Sequence, residues 1–245
     1  MKKLCMVLSL AGVMAAPNLF AGFDGTIVLT QNAYSYGNGG QFTAVSSGLG
    51  TFQTFCIEYT EEYQPGSQYD YYENSGAVAG GSGAYATDPH TGLPMDNISI
   101  GTAWLYSQFR AGTLANYFNA NQQLNAGNLQ DAIWYLENET STLAFNGADG
   151  TYYYDLAKQY AGAGNLTDAQ VAADSDGAYG VIALNLYSTV KVGDNLPVTI
   201  NGTTYYASQD QLAIVPEPTT MIAAALLLLP FGASTLRILR RNRMA

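Results

Sequence analysis

The sequence predicts an α+β domain in which β-strands at both ends enclose a block of helices. Short runs rich in β-branched and aromatic residues, separated by glycine-rich turns, lie before residue 60 and after residue 180. Apolar residues at helical spacing occupy residues 98–170 between them. Roughly 190 residues remain once the two terminal segments are set aside, which is enough for one domain with its own core.

Three strands are predicted before the helices, at residues 23–29, 41–45 and 51–59. Each combines apolar side chains with β-branched or aromatic ones. The third carries Cys56 on the strand or at its end. Residues 63–96 are rich in Gly, Tyr, Ser and Asp, and this composition predicts a long loop.

Helical patterns follow in three segments, residues 98–111, 152–161 and 167–170. Another helix presents apolar residues on one face, at Leu129, Ala132, Ile133 and Leu136. Asn128 is predicted to cap this helix, which makes Gln130 its second residue. The strand pattern then returns in three segments, residues 181–187, 196–200 and 203–207.

The two ends of the chain are predicted to be export and anchoring segments. Residues 1–21 combine a basic start with an apolar stretch, followed by a cleavage site before Gly22, which is the pattern of a secretory signal peptide. Residues 219–236 form an almost wholly apolar run, near the lower length limit for a membrane-spanning helix. The arginines that follow are expected to stay on the cytoplasmic side, which leaves the middle of the chain outside the inner membrane.

The segment at residues 213–245 resembles the PEP-CTERM sorting signal. Pro216, Glu217 and Pro218 precede the apolar run and the basic end, so all three parts of that signal are present in order. The resemblance implies a Gram-negative bacterium in which an exosortase cleaves near this motif. The protein is then held by its C-terminal helix only transiently, before it reaches the cell surface or the extracellular matrix.

The exported part is strongly acidic. Between Gly22 and Pro218 it has three basic residues, Arg110, Lys158 and Lys191, against 19 acidic ones, for a net charge of −16. Such a surface repels nucleic acid, which is therefore not expected as a partner. The acidic residues are scattered without calcium-loop spacing, so the sequence predicts no metal site and no cofactor.

Cys56 is the only cysteine after the predicted signal peptide, which contains Cys5. An unpaired cysteine in an exported protein calls for an explanation. An intermolecular disulfide, a buried inert thiol, a nucleophile and an internal thioester remain open on this count. A Cys56–His90 hydrolase site is disfavoured because His90, the single histidine, lies in a glycine-rich stretch without a supporting motif.

Two short motifs favour the thioester. Residues 55–58 read Phe-Cys-Ile-Glu and residues 129–134 read Leu-Gln-Asp-Ala-Ile-Trp, which sets Cys56 and Gln130 74 positions apart. A thioester forms when a thiolate attacks the Gln carboxamide and ammonia leaves, and this needs donors that stabilise the oxyanion. First-turn N–H groups of the predicted helix are suited to polarise the Gln130 carbonyl.

Four neighbours of the pair are predicted to support the site. Phe55 adds apolar bulk beside the cysteine. Trp134 lies one helical turn after Gln130 and is expected to shield the bond from water. Glu58 and Asp131 are two candidate proton acceptors, between which the sequence does not choose.

These motifs resemble those of the Cys–Gln thioester domains of bacterial surface adhesins, in which an aromatic or aliphatic residue precedes the Cys and the Gln stands four residues before a Trp. The resemblance implies that residues 22–212 form an antiparallel β-sandwich or barrel-like sheet with an inserted helical subdomain. It also implies covalent adhesion, in which a target nucleophile, typically a lysine amine, opens the thioester. An amide to the acyl group of Gln130 results, and Cys56 is released.

The sequence therefore predicts a surface or matrix protein that reacts once with a nucleophile on a protein or glycan and is not an enzyme. The alternative is a non-covalent structural or polysaccharide-binding protein of a biofilm matrix. In that case Cys56 is a buried thiol that acts as a small hydrophobic residue.

Overall fold

The structure is a computed structural model that describes residues 22–37, 39–79, 86–145 and 147–215. The predicted signal peptide lies outside the described residues, and so do residues 216–245 of the sorting segment, which include Pro216, Glu217 and Pro218. In the part of the chain that is described, no helix has both the length and the apolar character needed to span a bilayer.

Strands and helices follow one another in the order β-strands, helices, β-strands. The described elements are β1 (Gly25–Tyr36), β2 (Gly39–Ser46), β3 (Gly50–Thr54), β4 (Gln68–Asn74), β5 (Gly76–Val78), β6 (Ala86–Thr87), β7 (Pro94–Asn97), α1 (Ile100–Arg110), α2 (Gln122–Leu136), α3 (Thr151–Tyr160), α4 (Asp168–Val171), β8 (Val181–Ser188), β9 (Pro197–Ile200) and β10 (Thr203–Ile214). This arrangement confirms the predicted α+β class.

Seven strands form one antiparallel sheet in the order β3-β2-β1-β4-β8-β10-β9, and β5, β7 and β6 form a small second sheet. The four helices enter the chain between β7 and β8, while β4 and β8 remain neighbours in the large sheet. One helix, α2, packs across β1 and β2. The main hydrophobic core lies between the helices and the sheet.

The large sheet does not close into a barrel within the described residues. One edge of β10 pairs with β9 over Thr203–Tyr206 only. Further along that strand, Gln211 forms a single isolated bridge with Cys56, just beyond the end of β3. The sheet is thus curved enough for the segment just after β3, at one edge, to meet β10 at one residue pair. One pair is too short to make a ladder, so the predicted barrel-like closure is not formed.

The segment predicted as a long loop, residues 63–96, instead contains four strands. Tyr69 and Tyr71 of β4 are buried in a cluster that includes Ile27 and Leu186. Aromatic rings favour strands because they pack well on a pleated, half-buried surface. The packing of these tyrosines outweighed the Gly and Ser residues that suggested a loop.

The helical predictions agree better with the structure. The apolar face at Leu129, Ala132, Ile133 and Leu136 is buried throughout. Ser99 caps α1 by accepting a hydrogen bond from the backbone N–H of Thr102. Thr167 caps α4 in a reciprocal capping box with Gln170.

A buried carboxyl joins the end of α2 to the start of α1. Glu137 is 4% exposed. It accepts hydrogen bonds from the hydroxyl of Ser99 at 2.7 Å and from the Ser99 backbone N–H at 3.2 Å. Burial raises the pKa of the Glu137 carboxyl from 4.5 to about 7. The folded protein therefore binds this proton more tightly than the unfolded chain does.

We expect the Glu137 carboxyl to make the free energy of unfolding fall as pH rises from 4.5 to about 7. Its stabilising contribution is fully present below the lower value, is lost above the upper one, and amounts to about 3 kcal/mol. Glu137→Gln keeps an oxygen acceptor for Ser99 but does not titrate, so urea unfolding should show a flatter pH profile. The exposed Asp155→Asn variant is the control. A Glu137→Gln profile parallel to that of the wild type would contradict this expectation.

Candidate functional site

Cys56 and Gln130 meet at a buried contact between the sheet and α2. The thiol of Cys56 donates to Oε1 of Gln130 with an Sγ–Oε1 distance of 3.3 Å. Nε2 of Gln130 donates in turn to the backbone carbonyl of Cys56 at 2.7 Å. Cys56 is 0% exposed and Gln130 is 1% exposed. The structure thus brings together the two residues that the sequence paired across 74 positions.

The backbone around Cys56 is held by β10. The N–H of Leu212 donates to the carbonyl of Phe55 at 3.1 Å, and the N–H of Ile57 donates to the carbonyl of Asp210 at 3.0 Å. Side chains alternate along extended backbone, so Cys56 faces the opposite side from Phe55. The Phe55 ring packs on Phe109, at a centroid distance of 5.0 Å, within the helical core. Phe55 therefore anchors the segment and does not flank the sulfur.

Gln130 lies in the middle of α2 and not in its first turn. The helix begins at Gln122, so the prediction that Asn128 caps it is wrong. Asn128 instead accepts a hydrogen bond from the backbone N–H of Asp149 through its side chain. The first turn is polar and lacks the apolar periodicity that marks the rest, which explains why the sequence pattern missed it. The first-turn N–H groups of α2 therefore lie away from the site. The prediction that they polarise the Gln130 carbonyl is wrong.

A glycine on β2 allows α2 to approach the sheet closely. Gly39 is buried, and a Cβ atom at this position would lie 2.7 Å from Cγ of Gln130. It would also lie 2.7 Å from Cη2 of Trp134. The sequence showed only a turn-forming glycine run here, so this role was not foreseen.

An aromatic cover closes the site. Trp134, 2% exposed, packs in one cluster with Phe42 and Cys56. Tyr59 and Phe145 complete the cover, with ring centroids 5.1 Å from Trp134 for Tyr59 and 6.3 Å for Phe145. Trp134 therefore lies against the sulfur, in the position that a shield from water requires.

The thiol sits in an environment that disfavours its ionisation. Burial raises the pKa of the Cys56 thiol well above its usual value, and the indole N–H of Trp134 opposes part of that rise. Apart from the sulfur, that N–H has no hydrogen-bond partner among the described residues. It is thus a buried donor beside the sulfur, suited to stabilise negative charge that develops there during reaction.

The two candidate proton acceptors face other groups. Asp131 accepts a hydrogen bond from the backbone N–H of Phe145 at 2.8 Å, and burial raises its pKa to about 6. It thereby fixes the loop that carries part of the aromatic cover. Glu58 is fully buried beside Asp210, whose backbone N–H donates to it at 3.3 Å. Within the described residues neither carboxyl forms a hydrogen bond with Cys56 or Gln130.

The single histidine lies apart from the cysteine. His90 is exposed and stacks on Tyr72 with ring centroids 4.0 Å apart. Its backbone N–H donates to Asp88 in the same turn. No Cys–His pair forms among the described residues, so the hydrolase alternative finds no geometric support.

Comparison with known proteins identifies no relative of this chain: no protein-family model, no curated protein and no solved structure matches it. The case for a function therefore depends on the geometry of the Cys56–Gln130 site and on the sequence signals at the two ends of the chain.

Proposed function

We propose that this protein is an exported surface or matrix protein whose Cys56 and Gln130 form an internal thioester that bonds covalently to a target nucleophile. The observation that carries the proposal is the 3.3 Å contact between Cys56 Sγ and Gln130 Oε1 in a site closed to water. A sulfur in contact with a side-chain amide is placed for attack on the amide carbon. The protein reacts once per molecule and is not an enzyme.

Formation of the bond needs no group from outside the site. The Cys56 sulfur attacks Cδ of Gln130, the new S–C bond forms, and the C–N bond breaks. The thiol proton leaves with the amide nitrogen as ammonia. The Trp134 indole N–H lies beside the sulfur as it becomes negative. The aromatic cover then protects the product, because a thioester exposed to water hydrolyses.

The surroundings favour an amine as the target nucleophile. A pocket of about 480 Å³ borders the cover, and its lining includes Tyr59, Tyr63, Glu61 and Glu62. Tyr59 and Tyr63 also pack against the Cys56 cluster, so these two rings separate the pocket from the sulfur. The exposed Glu62 carboxylate at its wall attracts a protonated lysine side chain and repels phosphate or acidic groups. The amine then loses one proton to solvent and adds to the acyl carbon, and the C–S bond breaks as a second amine proton passes to Cys56, which leaves as a thiol.

The export signals fit this function. A signal peptide at residues 1–21 delivers the chain across the inner membrane, and the apolar segment at residues 219–236 anchors it there. An exosortase that cleaves near Pro216, Glu217 and Pro218 then releases the domain to the cell surface or the matrix of a Gram-negative bacterium. A protein that bonds covalently to a surface target must be located outside the cell, where that target is.

One observation favours the alternative, a non-covalent matrix or polysaccharide-binding protein. Burial raises the pKa of the Cys56 thiol, which keeps it protonated and unreactive in the folded protein. In that case the hydrogen bond from Cys56 to Gln130 satisfies two buried polar groups and does not precede a reaction.

Intact-mass measurement separates the two functions. The full chain is expressed with its own signal in a Gram-negative host and compared with Cys56→Ala and Gln130→Ala variants processed in the same way. We expect the wild type alone to be lighter than its calculated mass by one ammonia, and to gain one methylamine on incubation with that amine.

A wild-type chain at full calculated mass, with Gln130 unaltered and a titratable thiol, would favour the non-covalent function. Hydrolysis of a thioester formed earlier is distinguishable, because it leaves Glu in place of Gln130.

A further inference from the structure

Three buried carboxyl groups meet close to Cys56. Oxygens of Glu58, Glu61 and Asp210 all lie within 4.8 Å of one another. The three side chains are 0%, 7% and 2% exposed, respectively. In the described part of the chain the only salt bridge joins Lys158 to Asp168, so no basic side chain neutralises this cluster. Buried carboxylates without a counter-charge are costly unless a proton or a cation compensates them.

Several oxygens around the cluster lack a donor. Oε1 of Glu58 and Oε2 of Glu61 are buried without a hydrogen-bond partner. Oε1 of Gln209 is also unpartnered, and this side chain is 3% exposed. The amide of Gln209 lies beside Glu58, because its Nε2 donates to the Glu58 carbonyl at 3.4 Å. Orphaned acceptors of this kind are rare in folded proteins, and a proton shared between Glu58 and Glu61 or a bound cation would satisfy them.

The fold holds the cluster in place and gives it a path to solvent. The pairing of β10 with β8 shifts its register between Ser208 and Gln211, so Asp210 lies in a bulge. Asp210 is fixed there by the backbone N–H groups of Val78 and Leu186, at 2.7 Å and 3.0 Å. Glu61 and Gln209 both line the 480 Å³ pocket, through which an ion can enter.

We propose that Glu58, Glu61 and Asp210, together with the side-chain oxygen of Gln209, bind a calcium ion. The donor atoms are all oxygens, which hard divalent cations prefer. Oxygens on opposite sides of Ca²⁺ lie about 4.6–5.2 Å apart, whereas around Mg²⁺ they lie about 4.1 Å apart. Oxygens that all lie within 4.8 Å of one another are close enough to share one Ca²⁺.

The site was missed in the sequence because its ligands come from separate segments. Glu58 and Glu61 follow Cys56, while Gln209 and Asp210 lie some 150 positions later on β10. This arrangement gives no calcium-loop spacing. The prediction of no metal site was based on such local spacing alone. A bound ion ties the segment after Cys56 to β10 and so holds the cysteine in register.

The test uses the full chain, treated with EDTA and then titrated with CaCl₂ by calorimetry, with MgCl₂ in parallel. We expect one Ca²⁺ per chain and a melting temperature that rises with its concentration. Glu61→Gln and, separately, Glu58→Gln should each weaken the affinity about tenfold or more, because each removes a charged ligand. Glu62→Gln is the matched control, since Glu62 lines the same pocket but is exposed and outside the cluster.

In EDTA the wild type should no longer be more stable than Glu61→Gln. Glu61→Gln should then melt at or above the temperature of the wild type, because it removes an uncompensated buried carboxyl. In excess calcium the wild type should melt higher. Both measurements are repeated in Cys56→Ala, where binding should persist, so the outcome does not depend on the thioester.

Three results would overturn the calcium site. The first is the absence of binding heat and of any melting shift with Ca²⁺. The second is equal binding by the wild type and Glu61→Gln, which would place the ion elsewhere. The third is a preference for Mg²⁺ over Ca²⁺.

Discussion

Gly39→Ala is expected to abolish the thioester while leaving the fold intact. The new Cβ would lie 2.7 Å from Gln130 Cγ and 2.7 Å from Trp134 Cη2. The new Cβ meets two side chains of α2 at once, so relief of the clash moves the Gln130 side chain away from β2. Any such shift breaks its 3.3 Å contact with Cys56. Misplacing one of two aligned reacting groups lowers the rate of their reaction by a large factor.

The measurement is the fraction of chains that have lost one ammonia, read by intact mass. Overpacking is expected to lower the free energy of unfolding by roughly 1–3 kcal/mol, which a thermal melt will report. Val45→Ala is the control, because Val45 lies on the same strand with its side chain 52% exposed. Full ammonia loss in Gly39→Ala would show that the close approach of α2 to β2 is not required.

Asp210→Ala is expected to destabilise the protein by about 3 kcal/mol or more, because it strands three buried donors. These are the N–H groups of Val78 and Leu186 and the side-chain amide of Asn185, which donates at 2.6 Å. Removal of one of three clustered carboxyls relieves some repulsion and acts in the opposite direction. The loss of three buried hydrogen bonds outweighs it.

Urea unfolding in EDTA measures this effect without a contribution from bound cations. Asp194→Ala is the control, because Asp194 is exposed. A loss of a few kcal/mol is a large share of the stability of a typical domain. If Asp210→Ala unfolds at the same urea concentration as the wild type, the bulge of β10 is held by other contacts.

The site joins two parts of the chain that are positioned by different kinds of contact. Cys56 is placed by strand pairing, through the bridge to Gln211. Gln130 is placed by helix packing, through the close contact at Gly39. The Cys56–Gln130 geometry therefore depends on the docking of the helices onto the sheet, and not on either element alone.

Local periodicity in the sequence determined most of the elements of this protein. The apolar run in β8 and the apolar face from Leu129 to Leu136 depend on residues a few positions apart, and such patterns survive in almost any tertiary context. The pairing of Cys56 with Gln130 was also predicted, because each lies in a distinctive motif. The chemistry proposed for that pair remains a prediction until the ammonia loss is measured.

Tertiary packing alone decided the rest. The start of α2 at Gln122, the strand at Tyr69 and Tyr71, the close approach at Gly39 and the carboxyl cluster at Asp210 each depend on residues distant in the chain. Polar first turns and tyrosine-rich strands carry weak local signals, and long-range burial overrides them. Three acids become neighbours only when β10 bulges toward the segment after Cys56, and no spacing along the chain records that contact.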